Sequence, residues 1–119
     1  MLSTPKKISS LPLKPIERTA LRAFSRRLKK ALGRQLVSVL LFGSKARGAG
    51  RGDSDIDIFV LIRRQTIRSR STVARVTSAV WWDYDVLLSP VTYDLEEREK
   101  NVRMGSFFFE SVGTEGIKI

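Results

Sequence analysis

Two short apolar segments, separated by a stretch rich in glycine and serine, constrain the fold of this chain more than any other feature. Residues 36–42 read LVSVLLF and residues 55–62 read DIDIFVLI. Apolar runs of this length are typical of buried strands and are much too short to cross a membrane as a helix. The pattern therefore predicts two buried strands joined by residues 43–54.

Helical spacing of apolar residues predicts a first helix that begins at Pro15 and ends at Gly33. Apolar residues recur at every fourth position from Ile16 to Leu32, proline suits a first helical turn, and glycine is a common C-terminal cap. Weaker patterns predict a helix at 65–82, a strand at 84–93, a helix at 95–104, a further turn at 107–112 and a short strand at 116–119. This order predicts a small α/β domain with a mixed or parallel sheet flanked by helices.

The composition excludes several kinds of active site. The chain of 119 residues contains no Cys and no His. Their absence removes disulfides, thiol nucleophiles, the Ser-His-Asp triad and all metal sites built on Cys or His. An enzyme of this composition must use carboxylates, cations and hydroxyls, with a hard metal ion bound through oxygen.

The charge is distributed unevenly between the two halves of the chain. The formal net charge is +10, and residues 1–51 contain 13 Lys and Arg but one acid, Glu17. The first predicted helix carries many of these cations around its polar side, which favours an anionic partner but also fits an ordinary solvated face. Few aromatic residues interleave with them, so the pattern gives little support for stacking on single-stranded nucleic acid.

The domain organisation follows from length and local composition. Residues 1–14 contain two prolines with several serines and lysines, and we predict that they form a flexible basic arm. Residues 15–119 then have the length of a single domain. No apolar run of signal-peptide length follows the early lysines, so we expect no secretory signal, no membrane association and a cytoplasmic location.

The segment between the first two predicted strands carries groups suited to phosphate binding. Gly43 permits a tight turn in which the backbone approaches a ligand closely, and Ser44 offers a hydroxyl and a backbone N–H. Lys45, Arg47 and Arg51 lie within a few residues. These cations also fit an exposed loop, and Arg47 fits a structural contact as well as direct phosphate binding.

Acidic residues at the start of the second predicted strand suggest a metal site. Asp55 and Asp57 are two apart, so their side chains lie on the same face of a strand. Adjacent like charges are unfavourable unless a cation compensates them, and Mg²⁺ is typically held by one or two carboxylates plus substrate phosphates. Asp85 on the third predicted strand is the favoured third carboxylate, with Asp83 as the alternative. Together these groups predict metal-dependent phosphoryl chemistry.

These motifs, taken together, resemble the signature of a known superfamily. The matching residues are Gly43-Ser44-x-Ala46-Arg47-Gly48 and Ser54-Asp55-x-Asp57. They resemble the nucleotidyltransferase superfamily with the DNA polymerase β fold, and the small size of the chain resembles the minimal nucleotidyltransferase branch. The resemblance implies a small mixed sheet flanked by helices.

The resemblance also implies roles for individual residues. Gly43 and Ser44 would hold the nucleoside triphosphate, with Arg47 as a further nucleotide-binding candidate. The Asp-x-Asp acids, Asp55 and Asp57, would be catalytic and bind two divalent ions, Mg²⁺ or alternatively Mn²⁺. The third acid of the family comes from a neighbouring strand, which here implicates Asp85 as a catalytic and metal-binding residue.

The implied reaction transfers a nucleoside monophosphate to a hydroxyl group and releases pyrophosphate, with AMP from ATP favoured. Minimal nucleotidyltransferases often work beside a HEPN-type partner protein, as the antitoxin of a toxin–antitoxin pair, with a tyrosine of the toxin as the acceptor. Two alternatives stay open. One is a binding module that neutralises a partner protein or binds nucleic acid without turnover, and the other is a nucleotidyltransferase acting on an antibiotic-type small molecule.

Two aromatic clusters suggest surfaces for a partner. Trp81 and Trp82 are adjacent in a predicted helix and cannot both face one core, so we expect one to be buried and the other exposed. The three phenylalanines at 107–109 raise the same question, which leaves packing within the monomer and a homo-oligomer interface as equal alternatives.

Overall fold

A computed structural model describes residues 13–42, 55–105 and 116–119 of the chain. Most of the predicted arm, the whole of segment 43–54 and the predicted turn at 107–112 lie outside these ranges, so the arm and the turn stay predictions. The observed elements are α1 (Pro15–Leu32), β1 (Leu36–Phe42), β2 (Ile56–Ile62), α2 (Ile67–Tyr84), β3 (Leu88–Asp94), α3 (Leu95–Arg103) and β4 (Ile117–Lys118), with a short 3₁₀ turn at Gly33–Gln35.

The strands form one mixed sheet, as predicted. Their order is β3-β2-β1-β4. β1 pairs antiparallel with both β2 and β4, whereas β2 pairs parallel with β3. The parallel pair is connected by α2, as a crossover between parallel strands requires. Pro90 is accommodated in β3 because that strand lies at an edge of the sheet.

Helix α1 forms for the reasons that the sequence indicates. Ala20, Phe24 and Leu28 are fully buried along one stripe. The helix ends where Gly33 adopts a φ of 56°, a conformation that glycine accepts without steric penalty. Ile16, in the first turn, is exposed and does not join the stripe. The predicted helix is therefore confirmed in its bounds, although its apolar face is shorter than expected.

The main core lies between the two long helices and one face of the sheet. Alternate residues of β2, namely Ile56, Ile58, Val60 and Ile62, are buried there against both helices. The intervening residues Phe59 and Leu61 belong to a smaller apolar group on the opposite face. Strand alternation thus places successive residues of β2 in the main core and in the smaller group on the opposite face.

The last turn of α2 and the start of β3 differ from the prediction. The helix continues to Tyr84, and the third strand begins at Leu88 and not at residue 84. Contacts with α1 hold this last turn in helical form. Asp83 forms an ion pair with Arg27 at 2.8 Å, and the Arg27 guanidinium lies 5.7 Å from the centre of the Tyr84 ring. The predicted strand at 84–93 was therefore wrong at its beginning.

Asp94 connects the far ends of β2 and β3 to both following helices. Its Oδ1 accepts the Glu97 N–H at 2.8 Å, and its Oδ2 accepts the Gln65 N–H at 2.9 Å. The first of these is an N-cap of α3, and the second joins the segment ahead of α2. Hydrogen bonds from backbone groups, that of Glu97 foremost, lower the pKa of Asp94 below its usual range.

No helix in the described part of the chain is long and apolar enough to cross a membrane.

Replacing Asp94 with Ala should destabilise the fold in a pH-dependent way. The loss of an N-cap lowers the free energy of unfolding by about 1–2 kcal/mol, and the Gln65 N–H also loses its partner. Because the pKa of Asp94 is lower in the folded state, its stabilising charge is present above about pH 3.9 and is lost as pH falls through the folded-state pKa. Urea denaturation at pH 7 and pH 2.5 should show a smaller difference between variant and wild type at low pH. Asp94→Asn, which keeps a capping oxygen, is the matched control and should lie nearer the wild type at pH 7.

Candidate functional site

The predicted pair of acids lies at the start of β2, on the face of the sheet opposite the main core. Asp55 directly precedes the strand and is exposed, whereas Asp57 is its second residue and is half-buried. The neighbours Ile56 and Ile58 are buried in the main core. Because side chains alternate along a strand, Asp57 must face away from that core, on the same side as Phe59. The predicted shared face of the acids follows from this alternation.

The two acids repel each other in this position. Burial, and secondly the charge of Asp55, raise the pKa of Asp57 above its usual range. Within residues 13–42, 55–105 and 116–119, no cation forms an ion pair with either acid; Arg27, for example, is paired with Asp83. The pair therefore presents negative charge that its described surroundings do not neutralise, a suitable environment for a divalent cation.

The strands on either side supply the immediate neighbours of Asp57. Phe42, the last residue of β1, lies opposite Asp57 in the antiparallel register, and Ser89 lies beside it in the parallel register. β1 therefore ends, at Phe42, directly beside the acid pair. Gly43, Ser44 and Arg47 themselves lie outside the described residues.

Asp85 is not a strand residue. It caps the C-terminus of α2 in the left-handed conformation, with a φ of 55°, and its backbone N–H donates to the Trp81 carbonyl at 2.8 Å. Aspartate tolerates this conformation better than most residues, which explains why the helix ends there. Asp83, the alternative third acid, lies in the helix and pairs with Arg27. The prediction that Asp85 belongs to the third strand was therefore wrong.

Other side chains occupy the strand positions beside the acids. Ile56 pairs with Leu88 and Asp57 with Ser89. The same register, continued one residue towards the start of each strand, brings Leu87 beside Asp55. In the part of the chain that the structure describes, no three acidic residues are grouped closely enough to hold a metal ion. Leu87 and Ser89 were not predicted as site residues.

The donors of the acid pair suit a hard cation. Asp55 and Asp57 offer carboxylate oxygens alone, and Mg²⁺ is commonly bound by one or two carboxylates together with water and phosphate oxygens. The described residues thus supply part of a magnesium coordination sphere and leave the remaining positions for water, a substrate or segment 43–54. This donor set fits metal-assisted chemistry on a phosphate ester.

Exposed apolar side chains lie at the end of α2 and in the segment that leads from it to β3. Trp81 and Trp82, in the last turn of α2, are 55% and 90% exposed, so the expectation that one of them is buried was wrong. Leu87 is also exposed and follows within a few residues. Since Leu88 pairs with Ile56, this segment leads directly to the start of β2, where the acids lie.

One family model and two known proteins are similar to this chain. The family model for a nucleotidyltransferase domain matches residues 21–113, which include both acids and segment 43–54. A candidate protein adenylyltransferase from Methanocaldococcus jannaschii is 27% identical over 100 residues, covering 83% of this chain and 94% of that protein. The crystal structure of a candidate nucleotidyltransferase from Sulfolobus solfataricus covers 73% of this chain and 80% of its own, with 21% identity and a TM-score of 0.46.

Replacing Asp57 with Asn should stabilise the metal-free protein at neutral pH. Because the pKa of Asp57 is raised in the folded state, its charge destabilises the fold above that pKa, and the effect vanishes below the unfolded-state pKa of about 3.9. Thermal unfolding in metal-free buffer should therefore give a higher midpoint for Asp57→Asn at pH 7, with little difference at pH 3.

Asp85→Asn is the matched control for this measurement. It removes the same charge at an exposed helix cap where asparagine is well tolerated, so its midpoint should stay close to that of the wild type. A lower midpoint for Asp57→Asn than for the wild type at pH 7 would contradict the conclusion that the charge of Asp57 destabilises the fold.

Proposed function

Since this chain belongs to the nucleotidyltransferase domain family, we propose that it transfers AMP from ATP, with Mg²⁺, to a hydroxyl group of a partner protein. The observation that carries the proposal is the position of the acid pair. Asp55 and Asp57 lie at the start of β2, next to the point where the chain leaves β1 for the segment beginning with Gly43 and Ser44.

Segment 43–54 is proposed to hold the triphosphate. A glycine followed by a serine lets the backbone approach phosphate oxygens closely, and the Ser44 hydroxyl can donate to one of them. Arg47 would add a charge-assisted hydrogen bond. Phosphates bound by this segment would lie close to Asp57, because the segment starts next to that residue.

Asp55 and Asp57 are proposed to hold Mg²⁺, with Mn²⁺ as a substitute. When bound, the ion would offset the negative charge of the triphosphate and make the α-phosphorus more open to attack. Burial and the charge of Asp55, which raise the pKa of Asp57, would be offset at the same time. Binding of a second ion, which the family resemblance implies, would need ligands from the nucleotide or from residues beyond this pair.

Asp85 is proposed to contribute less to the reaction than Asp55 and Asp57. In the sequence interpretation it shares the metal and takes the proton from the attacking hydroxyl. Its position at the cap of α2, with Val86 and Leu87 between it and the paired part of β3, supports a contribution smaller than that of the acid pair. Substitution of each acid separates these roles.

The acceptor is proposed to be a protein, and its docking surface to include Trp81, Trp82 and Leu87. These exposed apolar side chains lie at the end of α2 and just before Leu88, which pairs with Ile56 between the two acids. The similarity to a candidate protein adenylyltransferase supports a protein acceptor. We further propose a HEPN-type partner whose tyrosine receives the AMP, which would make this chain the antitoxin of a pair.

Asp57→Asn should abolish AMP transfer while the protein remains folded. With ATP labelled at the α-phosphate and a co-purified HEPN-type partner, label should enter the partner, and Asp55→Asn or Asp57→Asn should reduce the rate by more than about 100-fold, beyond the range seen for groups that only support a metal ligand. Asp85→Asn should lose less. Glu99→Gln removes one acid from an exposed position in α3 and serves as a control for charge alone.

Three outcomes would contradict this proposal. Unchanged transfer in Asp57→Asn would remove the acid pair from the reaction. Failure of Mg²⁺ to raise the thermal midpoint of the wild type more than that of Asp57→Asn would remove the metal from it. A partner neutralised equally well by Asp55→Asn/Asp57→Asn would favour the binding module without turnover.

Trp82→Ala should weaken acceptor recognition without affecting ATP binding. A side chain that is 90% exposed contributes little to folding but can contribute strongly to an interface. The KM for the partner should rise several-fold, while calorimetry should give the same affinity for ATP. Ile67→Ala, also an exposed apolar residue of α2 but at its other end, is the matched control and should leave both quantities unchanged. Equal KM values for Trp82→Ala and wild type would exclude Trp82 from the docking surface.

A further inference from the structure

A groove with a strongly basic lining runs along the outer side of α1. It has a volume of about 320 Å³ and is lined by Arg22, Ser25, Arg26, Lys29 and Ile119. The Ser25 hydroxyl donates to the Ile119 carbonyl at 3.1 Å, which joins the middle of α1 to the end of the β4 segment. The groove thus lies at the β4 edge of the sheet.

The three cations of the groove form a row. Arg22, Arg26 and Lys29 have helical spacings of four and three residues, which place them on one side of α1 and span about 10 Å along its axis. All three are exposed, and none of them forms an ion pair with a described residue. Arg27, by contrast, points to the other side of the helix and is paired with Asp83 of α2.

The described lining contains no carboxylate side chain that could neutralise this row. Of the residue types enriched in protein–protein interfaces, the lining contains arginine but no aromatic residue and no methionine, and it contains lysine, which is depleted there. The lack of aromatic side chains also disfavours stacking of unpaired bases. The Ser25 hydroxyl is already engaged with Ile119, so what the groove offers is a line of positive charge, which matches the phosphates of a nucleic-acid backbone.

We propose that this groove binds the phosphate backbone of a double-helical nucleic acid. The contacts come from Arg22, Arg26 and Lys29 and involve no reading of base edges. The site is separate from the acid pair, because α1 and β4 line the groove whereas Asp55 and Asp57 lie at the start of β2. Nucleic-acid binding should therefore depend neither on ATP nor on the carboxylates.

Salt dependence of binding tests the proposal with a measurable slope. A fluorescently labelled 20-base-pair RNA duplex and a DNA duplex of the same sequence are titrated with the full chain at several salt concentrations. The slope of log K against log salt is negative, and the triple variant Arg22→Gln/Arg26→Gln/Lys29→Gln should reduce its magnitude by about 2 to 3, because each phosphate contact on a duplex contributes about −0.9. Preference between the two duplexes identifies which backbone is the ligand.

The matched control is Arg64→Gln/Arg68→Gln/Arg75→Gln. It removes the same charge from three exposed positions outside the groove, before and along α2. Its slope should stay within about 1 of the wild type. Circular dichroism should show that both triple variants are folded. If the groove variant unfolds, the single variant Arg26→Gln should still reduce the magnitude of the slope by about 0.9.

Several results would overturn the proposal. The first is undetectable binding of both duplexes by the wild type. The second is an equal reduction, in the two triple variants, of the magnitude of the slope of log K against log salt. The third is tighter binding of single-stranded RNA than of either duplex. Binding of polyglutamate at the duplex affinity, lost in the groove variant but kept in the control, would assign the groove to an acidic protein. A slope reduction confined to the groove variant supports the proposal for whichever duplex binds.

Discussion

The pairing of β2 with an antiparallel neighbour on one side and a parallel neighbour on the other is the constraint on which the site depends. Ile56 and Ile58 must be buried beneath the helices, so Asp57 must face the opposite side of the sheet. A shift by one residue would turn the carboxylate into the main core, where an unpaired charge is very unfavourable. The apolar residues of β2 thereby determine where its acids lie.

Helix α1 separates two uses of positive charge. On one side, Arg27 pairs with Asp83 and lies close to the Tyr84 ring, which ties the last turn of α2 to α1. On the other side, Arg22, Arg26 and Lys29 line a groove without neutralising acids among the described residues. One side of α1 therefore uses its positive charge to pack against α2, and the other side leaves its positive charge available for an anion.

Much of the fold could be predicted because its strongest signals are local. The bounds of β1 agree with the predicted 36–42, and α1 follows its apolar stripe and its terminal glycine. The boundary between α2 and β3 could not be predicted in this way. Residues near 84 alternate as a strand would, but contacts between Arg27 and residues more than fifty positions later in the chain hold them in a helix. Local patterns contain no information on such contacts.

The sequence by itself determined the chemistry available to this protein. Without His or Cys, its reactive groups are carboxylates, hydroxyls and cations, and the spacing of Asp55 and Asp57 predicts that their side chains lie on the same side of the chain. Only the tertiary structure decided that Phe42 and Ser89 are the neighbours of Asp57, and that Asp85 caps a helix. The physical reason is that strand register depends on how α2, which connects β2 to β3, packs against the sheet, and therefore on contacts between residues distant in the chain.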